Sequence, residues 1–294
     1  MPDVKSILFA LLAIVAVVFI AVWCRELNRK RDWVWPTPLQ TIVGFITDFL
    51  DTLGVGSFAV TTTIYRTRKM VADELIPGTM NVGHSLPTII QAFVYIAIIE
   101  IEMKTLVLTI AAAVAGAVSG VGFVTHWPRA RIQFGMGVAL LIAAGLILAR
   151  LANILPPGGS AKELTGAYLI AALLGNFLFG AMMMIGVGAY APIMIMVCLL
   201  GMNPLTAFPI MMGSCAFLMP ISGMRFIRAG AYNSRASLGL TLGGIPGVFL
   251  AAFIVKELNV DIVRWLVVVI VLYTATSLIQ ASKNKTTLLS GEPA

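Results

Sequence analysis

Charge is what this sequence has least of. Of its 294 residues only 11% are Asp, Glu, Lys or Arg, while 59% are hydrophobic, and the mean hydropathy is +0.97. Soluble domains carry about 25% charged residues, so a water-covered globule is excluded, and a disordered chain with it. Cysteine is scarce: Cys24, Cys198 and Cys215 lie in or beside apolar segments without CxxC spacing, so neither a disulfide framework nor a zinc site is indicated. No HExxH, GxSxG or Walker A pattern occurs, and no metal or other cofactor is expected. Outer-membrane strands alternate polar and apolar residues over about ten positions, and such alternation is missing.

What the sequence has instead is long apolar runs, at 7–23, 106–124 and 265–273. A helix crosses the hydrocarbon with about 20 apolar residues, so the expected fold is an all-α polytopic membrane protein. The net charge of +7 reads as the Lys/Arg bias of cytoplasmic loops, because the basic residues cluster between apolar runs, and no nucleic-acid partner is expected. The first run has neither a positive flank before it nor a small-residue cleavage site before the charged stretch 25–32. It is expected to be an uncleaved helix with its N-terminus outside and Arg25, Arg29, Lys30 and Arg31 in the cytoplasm. Trp23, Trp33 and Trp35 fit an interfacial belt.

The chain reads as built twice. Gly54-Val55-Gly56 returns 132 positions later as Gly186-Val187-Gly188. Pro77 and Pro209, and Thr109 and Thr241, keep the same interval of 132, and Arg131 matches Arg264 at 133. Such duplication is common in secondary transporters. The basic stretch 66–69 follows the first Gly-x-Gly and the basic stretch 25–31 precedes it. If both are cytoplasmic, residues 39–65 enter and leave on one side as a re-entrant hairpin broken at Gly54 and Gly56. Residues 75–96 then run outward to Glu100 and Glu102, 106–124 return, and 132–148 go out to Pro156-Pro157-Gly158-Gly159. The second copy begins outside: a hairpin over 164–201, then 203–224 inward to Arg225, Arg228 and Arg235, 236–255 outward and 262–279 back. Opposite charge at equivalent loops is what inverted repeats predict. The expected organisation is an extra N-terminal helix and basic loop (1–38), a first repeat (39–150), a linker (151–163), a second repeat (164–282) and a cytoplasmic tail (283–294). Each repeat is a Gly-broken re-entrant hairpin plus three transmembrane helices. The competing reading makes each hairpin an ordinary crossing, which would put one of the basic stretches outside.

The two Gly-rich segments, each followed by a Pro-containing helix and a small-residue helix, resemble the sulfite exporter TauE/SafE family. The similarity is clearest at 180–192 (GAMMMIGVGAYAP), 207–214, 226–230 and 243–251 (GGIPGVFLA), and covers roughly residues 39–281. Where that family has a third Gly after Gly-x-Gly, this chain has Ser57 and Ala189. The resemblance implies a carrier of small sulfur-containing or organic anions, such as sulfite and sulfonates, in a bacterial inner membrane. The implied partners are a small anion, the bilayer, a co-transported proton or cation and, in a homo-oligomer, further copies of the chain.

The candidate site follows from the breaks. Irregular backbone at membrane depth is tolerated where it lines protein or a wet cavity, and a helix N-terminus binds anions through its free N–H groups. The candidates are Gly54, Gly56 and Ser57 in the first hairpin, and Gly186, Gly188, Ala189 and Tyr190 in the second. The alternative is that these glycines serve only close helix packing. Asn81, His84, Thr88, Gln91 and Tyr95 fall at helical spacing on one face, with Ser85 adjacent. Facing lipid would be costly, so that face is expected to line either a transport path or an interhelical seam. Ser214 is its counterpart candidate in the second copy. Asp48, Asp51 and His84 are the interior ionisable residues and the candidates for proton coupling, with capping of free amides the alternative for the acids. A channel and an intramembrane enzyme are the competing functions.

Overall fold

The computed structural model describes residues 3–124, 126–154, 158–186, 188–254 and the single positions 272, 275, 276, 279 and 280. Among these the protein is all-α. The helices are α1 (Val4–Lys30), α2 (Pro38–Thr52), α3 (Ser57–Thr67), α4 (Ile76–Gly83), α5 (Ser85–Ile98), α6 (Met103–Val124), α7 (Arg129–Leu151), α8 (Gly166–Met183), α9 (Tyr190–Leu199), α10 (Ala207–Ala229) and α11 (Ser234–Ile254). Among the described residues five segments are long and apolar enough to cross a bilayer: Val4–Lys30, Met103–Gly122, Gly166–Met183, Pro204–Ala229 and Ser234–Phe253. The pair Asp73–Gly83 and Ser85–Ile98, bent by 42°, makes a sixth if it counts as one span. This is a multi-pass helical membrane protein.

Local chemistry sets the boundaries. Thr37 and Gln40 form a reciprocal capping box at the start of α2, with Pro38 at its first position. The first helix is longer than the apolar run that announces it, because Arg25, Arg29 and Lys30 continue it to a left-handed cap at Arg31 (φ 53°). Its buried residues Leu8, Leu12, Phe19, Trp23 and Leu27 form a stripe that packs on α10. Its other face carries exposed apolar residues such as Val17, as a lipid-facing helix should.

One expected helix is broken. The run 75–96 divides at His84 into α4 and α5. Pro87 has no N–H to give to the Gly83 carbonyl one turn back, which kinks the helix. The freed carbonyl accepts instead from the Thr241 hydroxyl of α11 at 2.7 Å. The last expected crossing, 262–279, lies outside the described residues apart from 272, 275, 276 and 279, as do Pro156, Pro157, Val187 and the tail 283–294.

Packing is dominated by two long helix pairs, α2 along α11 and α6 along α8, with α10 buried between α1, α4, α5 and α6. Both pairs approach through glycine. A Cβ on Gly247 of α11 would lie 2.4 Å from the Phe45 carbonyl oxygen of α2, and one on Gly116 of α6 would lie 1.8 Å from that of Phe177 on α8. Small residues let membrane helices come this close.

Contacts between loops group the helix ends. On one side, the Arg235 guanidinium donates to the Trp35 carbonyl at 2.9 Å and the Tyr65 hydroxyl to the Ala236 carbonyl at 3.2 Å, so both ends of the α2–α3 hairpin meet the start of α11. On the other, the Glu102 N–H bonds the Lys162 carbonyl at 3.0 Å, and Leu164 N–H bonds the Thr105 hydroxyl at 3.1 Å. Lys162 also hydrogen-bonds Glu100 there and holds its carboxyl below the usual range. The end of the α8–α9 hairpin joins the same cluster, where Gly159 N–H bonds Met202 O at 2.9 Å.

Candidate functional site

Each hairpin breaks where a glycine takes a left-handed conformation. After α2 the chain turns through Gly54 (φ 81°) and Gly56 (φ 90°) into α3, and after α8 it turns through Gly186 (φ 93°) towards α9. L-residues avoid these angles. The two tips come together at a small cavity, walled by Gly56, Ser57 and Phe58 from the first and Gly188 and Ala189 from the second. Asp51, Thr88, Met183 and four residues of α10 complete the wall. Among the described residues Asp51 is the one charged residue of the wall, and no Lys or Arg takes part.

At Gly56 the backbone is left-handed (φ 90°) and a Cβ would meet nothing within 4 Å. A Cβ on Gly188 would meet only the Phe58 Cβ, at 3.6 Å, an ordinary contact. Gly56→Val is therefore expected to lower the thermal midpoint in detergent and abolish solute binding, because a left-handed β-branched residue is strained by about 1–3 kcal/mol. Gly188→Ala should leave the midpoint within a degree or so of wild type. Equal losses at both positions would contradict this backbone assignment.

The two neighbouring acids take separate tasks. Asp51 accepts the Ser57 N–H at 2.8 Å, so the protein's own carboxylate caps the first turn of α3. Asp48 turns away from the cavity and accepts His84 Nδ1 at 2.8 and 2.9 Å through its two oxygens. His84 Nε2 is 3.1 Å from the Thr61 hydroxyl of α3. Asp48, His84 and Thr61 are all 0% exposed. The triad ties together α2, the α4–α5 break and α3, and Gly244 leaves room for it: a Cβ there would sit 2.1 Å from Asp48 Oδ2.

The polar face of α4 and α5 is mostly a seam. Gln91 donates to the Thr52 hydroxyl at 2.8 Å, and the Tyr95 hydroxyl donates to the Thr52 carbonyl. Asn81 donates to Pro77 O at 2.9 Å, and its carbonyl accepts from Ser85 at 2.6 Å. Of this face only Thr88 reaches the cavity.

Of the expected site residues, Asp51, Gly56, Ser57, Gly188 and Ala189 line the cavity. Gly54 and Gly186 are the hinges beside it, and Tyr190 opens α9. Asp48, Asn81, His84, Ser85 and Ser214 are buried around the cavity and not in its wall. Sequence reasoning missed Thr61, for which no local signal exists, and the methionines Met183, Met211, Met212 and Met219. Three of the α10 positions, Met211, Cys215 and Met219, were legible as a four-residue spacing. Among the described residues no group of three or more His, Cys, Asp or Glu converges. No protein-family model, no curated protein and no solved structure matches the chain.

Proposed function

We propose that the protein is a secondary transporter of small anions, an exporter of sulfite, sulfonates or related organosulfur or carboxylate anions, built from two inverted repeats in a bacterial inner membrane. The observation that carries this reading is the meeting of two broken hairpins at one cavity. The N-terminal ends of α3 and α9 supply positive potential at the cavity, with Asp51 competing for the Ser57 N–H. The duplicated architecture is supported by equivalent contacts: Phe45 with Gly247 and Phe177 with Gly116 pair residues 132 and 131 positions apart in the two halves. The hairpins are read as re-entrant because both ends of each belong to one loop cluster.

Asp51 shapes the binding step. An anion and an ionised Asp51 cannot share the Ser57 N–H without repulsion, so anion binding favours the neutral acid. A proton then accompanies the anion, and the Asp48–His84 pair behind the tip supplies a second buried proton-bearing group. An aspartyl enzyme is disfavoured, since Asp48 and Asp51 face different partners rather than each other.

Counterflow in liposomes tests the function. Labelled sulfite is expected to exchange against unlabelled sulfite, thiosulfate or sulfoacetate and to emerge chemically unchanged. A channel would give flux without counterflow, and an enzyme would alter the label. Orientation has its own test. Thr67→Cys, in a chain with Cys24, Cys198 and Cys215 replaced, should react with an impermeant thiol reagent only from the cytoplasmic side. Labelling from outside alone would make the first hairpin a full crossing.

A further inference from the structure

The cavity wall is rich in sulfur. Met183 at the end of α8 and Met211, Met212, Cys215 and Met219 of α10 contribute four thioethers and a thiol. Positions 211, 215 and 219 are one helical turn apart, which stacks them along one face of α10. Cys215 Sγ is 3.6 Å from Met183 Sδ across the contact between the two helices. Asp51 belongs to the same wall, and among the described residues no Lys or Arg enters the lining.

Methionine is a common gap-filler in apolar cores. Here, however, four methionines and a cysteine share the wall of one cavity, and two of their sulfurs are already within 3.6 Å of each other, a donor set that suits one class of ligand. Thiolate and thioether sulfur are soft donors that select Cu(I), and Ag(I) shares that chemistry. Calcium and magnesium require several oxygen ligands, and a structural zinc site requires four Cys or His; the wall has neither set.

We infer that the α8–α10 wall of the cavity binds a soft monovalent cation, Cu(I) or Ag(I), with Cys215 and Met183 as the first donors and Met211 and Met219 flanking them. Coordination by Cys215 replaces its S–H bond with an S–metal bond and releases the proton to the solvent; the thioethers bind without proton loss. The stacked methionines give the metal a short path of alternative partners along α10. The site does not depend on anion transport, so a chain that carries no sulfite can still bind the metal.

The test uses the full chain in detergent, carrying Cys24→Ser and Cys198→Ser so that Cys215 is the remaining thiol. Chloride-free titration with silver nitrate is followed by equilibrium dialysis and metal analysis. One tightly held Ag(I) per chain is expected. Cys215→Ala and the pair Met211→Leu with Met219→Leu should each weaken binding by about tenfold or more, as should Met183→Leu. Leucine keeps nearly the volume of methionine, and an unchanged elution profile and helical spectrum confirm that each variant is folded. Absence of stoichiometric Ag(I), or affinity that survives these substitutions in folded protein, would overturn the assignment and leave the methionines as packing.

Discussion

Asp48→Asn and His84→Gln are expected to abolish the response of anion flux to an imposed pH gradient while counterflow persists. The two groups form a fully buried pair, with His84 Nδ1 held between both Asp48 oxygens. Asn and Gln keep a hydrogen-bonding group at each position and remove the titrating one. Leaving a buried polar group without its partner costs about 1–3 kcal/mol, more for a charged one, so Asp48→Leu or His84→Leu should accumulate less as folded protein than the amide variants. Asp51→Asn is expected to behave differently. Its amide oxygen can still cap Ser57, and with the negative charge gone the site should bind anion more tightly over a wider pH range. A wild-type flux indifferent to pH gradients would remove the coupling idea. A retained response in the Asp48→Asn, His84→Gln double variant would leave the pair a purely structural tie between α2 and the α4–α5 break.

Gly116→Ala and Gly247→Ala are expected to destabilise the protein to a similar extent, about 1–3 kcal/mol each by the usual cost of overpacking, and Val at either position more. The obstacle is the carbonyl oxygen of Phe177 or Phe45, which belongs to helix backbone and cannot rotate away as a side chain would. Gly122 and Gly145 are internal controls: both are helical, and a Cβ at either would meet nothing within 4 Å. Alanine there should be neutral or stabilising, since Gly costs a helix about 1 kcal/mol relative to Ala. Thermal midpoints and the fraction eluting as a single species in detergent measure all four. If Gly116→Ala proved as benign as Gly122→Ala, the α6–α8 approach would be looser than described. Damage at Gly116 without damage at Gly247 would count against the proposed equivalence of the two halves.

Composition and run length by themselves determined the class, because too few charges exist to cover a soluble surface and the apolar runs reach membrane length. The hairpin breaks were also legible, since Gly54, Gly56 and Gly186 mark places where the backbone needs angles other residues resist. The kink at His84 could have been read from Pro87, whose missing N–H breaks the ladder one turn earlier. Only the tertiary structure decided the rest. Asp48 and Asp51 are three apart on one helix face and read as a pair, yet one reaches His84 at the α4–α5 break and the other the Ser57 N–H of α3. Thr61 joins His84 across 23 positions of chain. The sulfur spacing on α10 became a wall only when α8 brought Met183 against Cys215. Periodicity tells which residues share a face; which neighbour that face meets depends on how distant helices pack, and no local pattern carries that information.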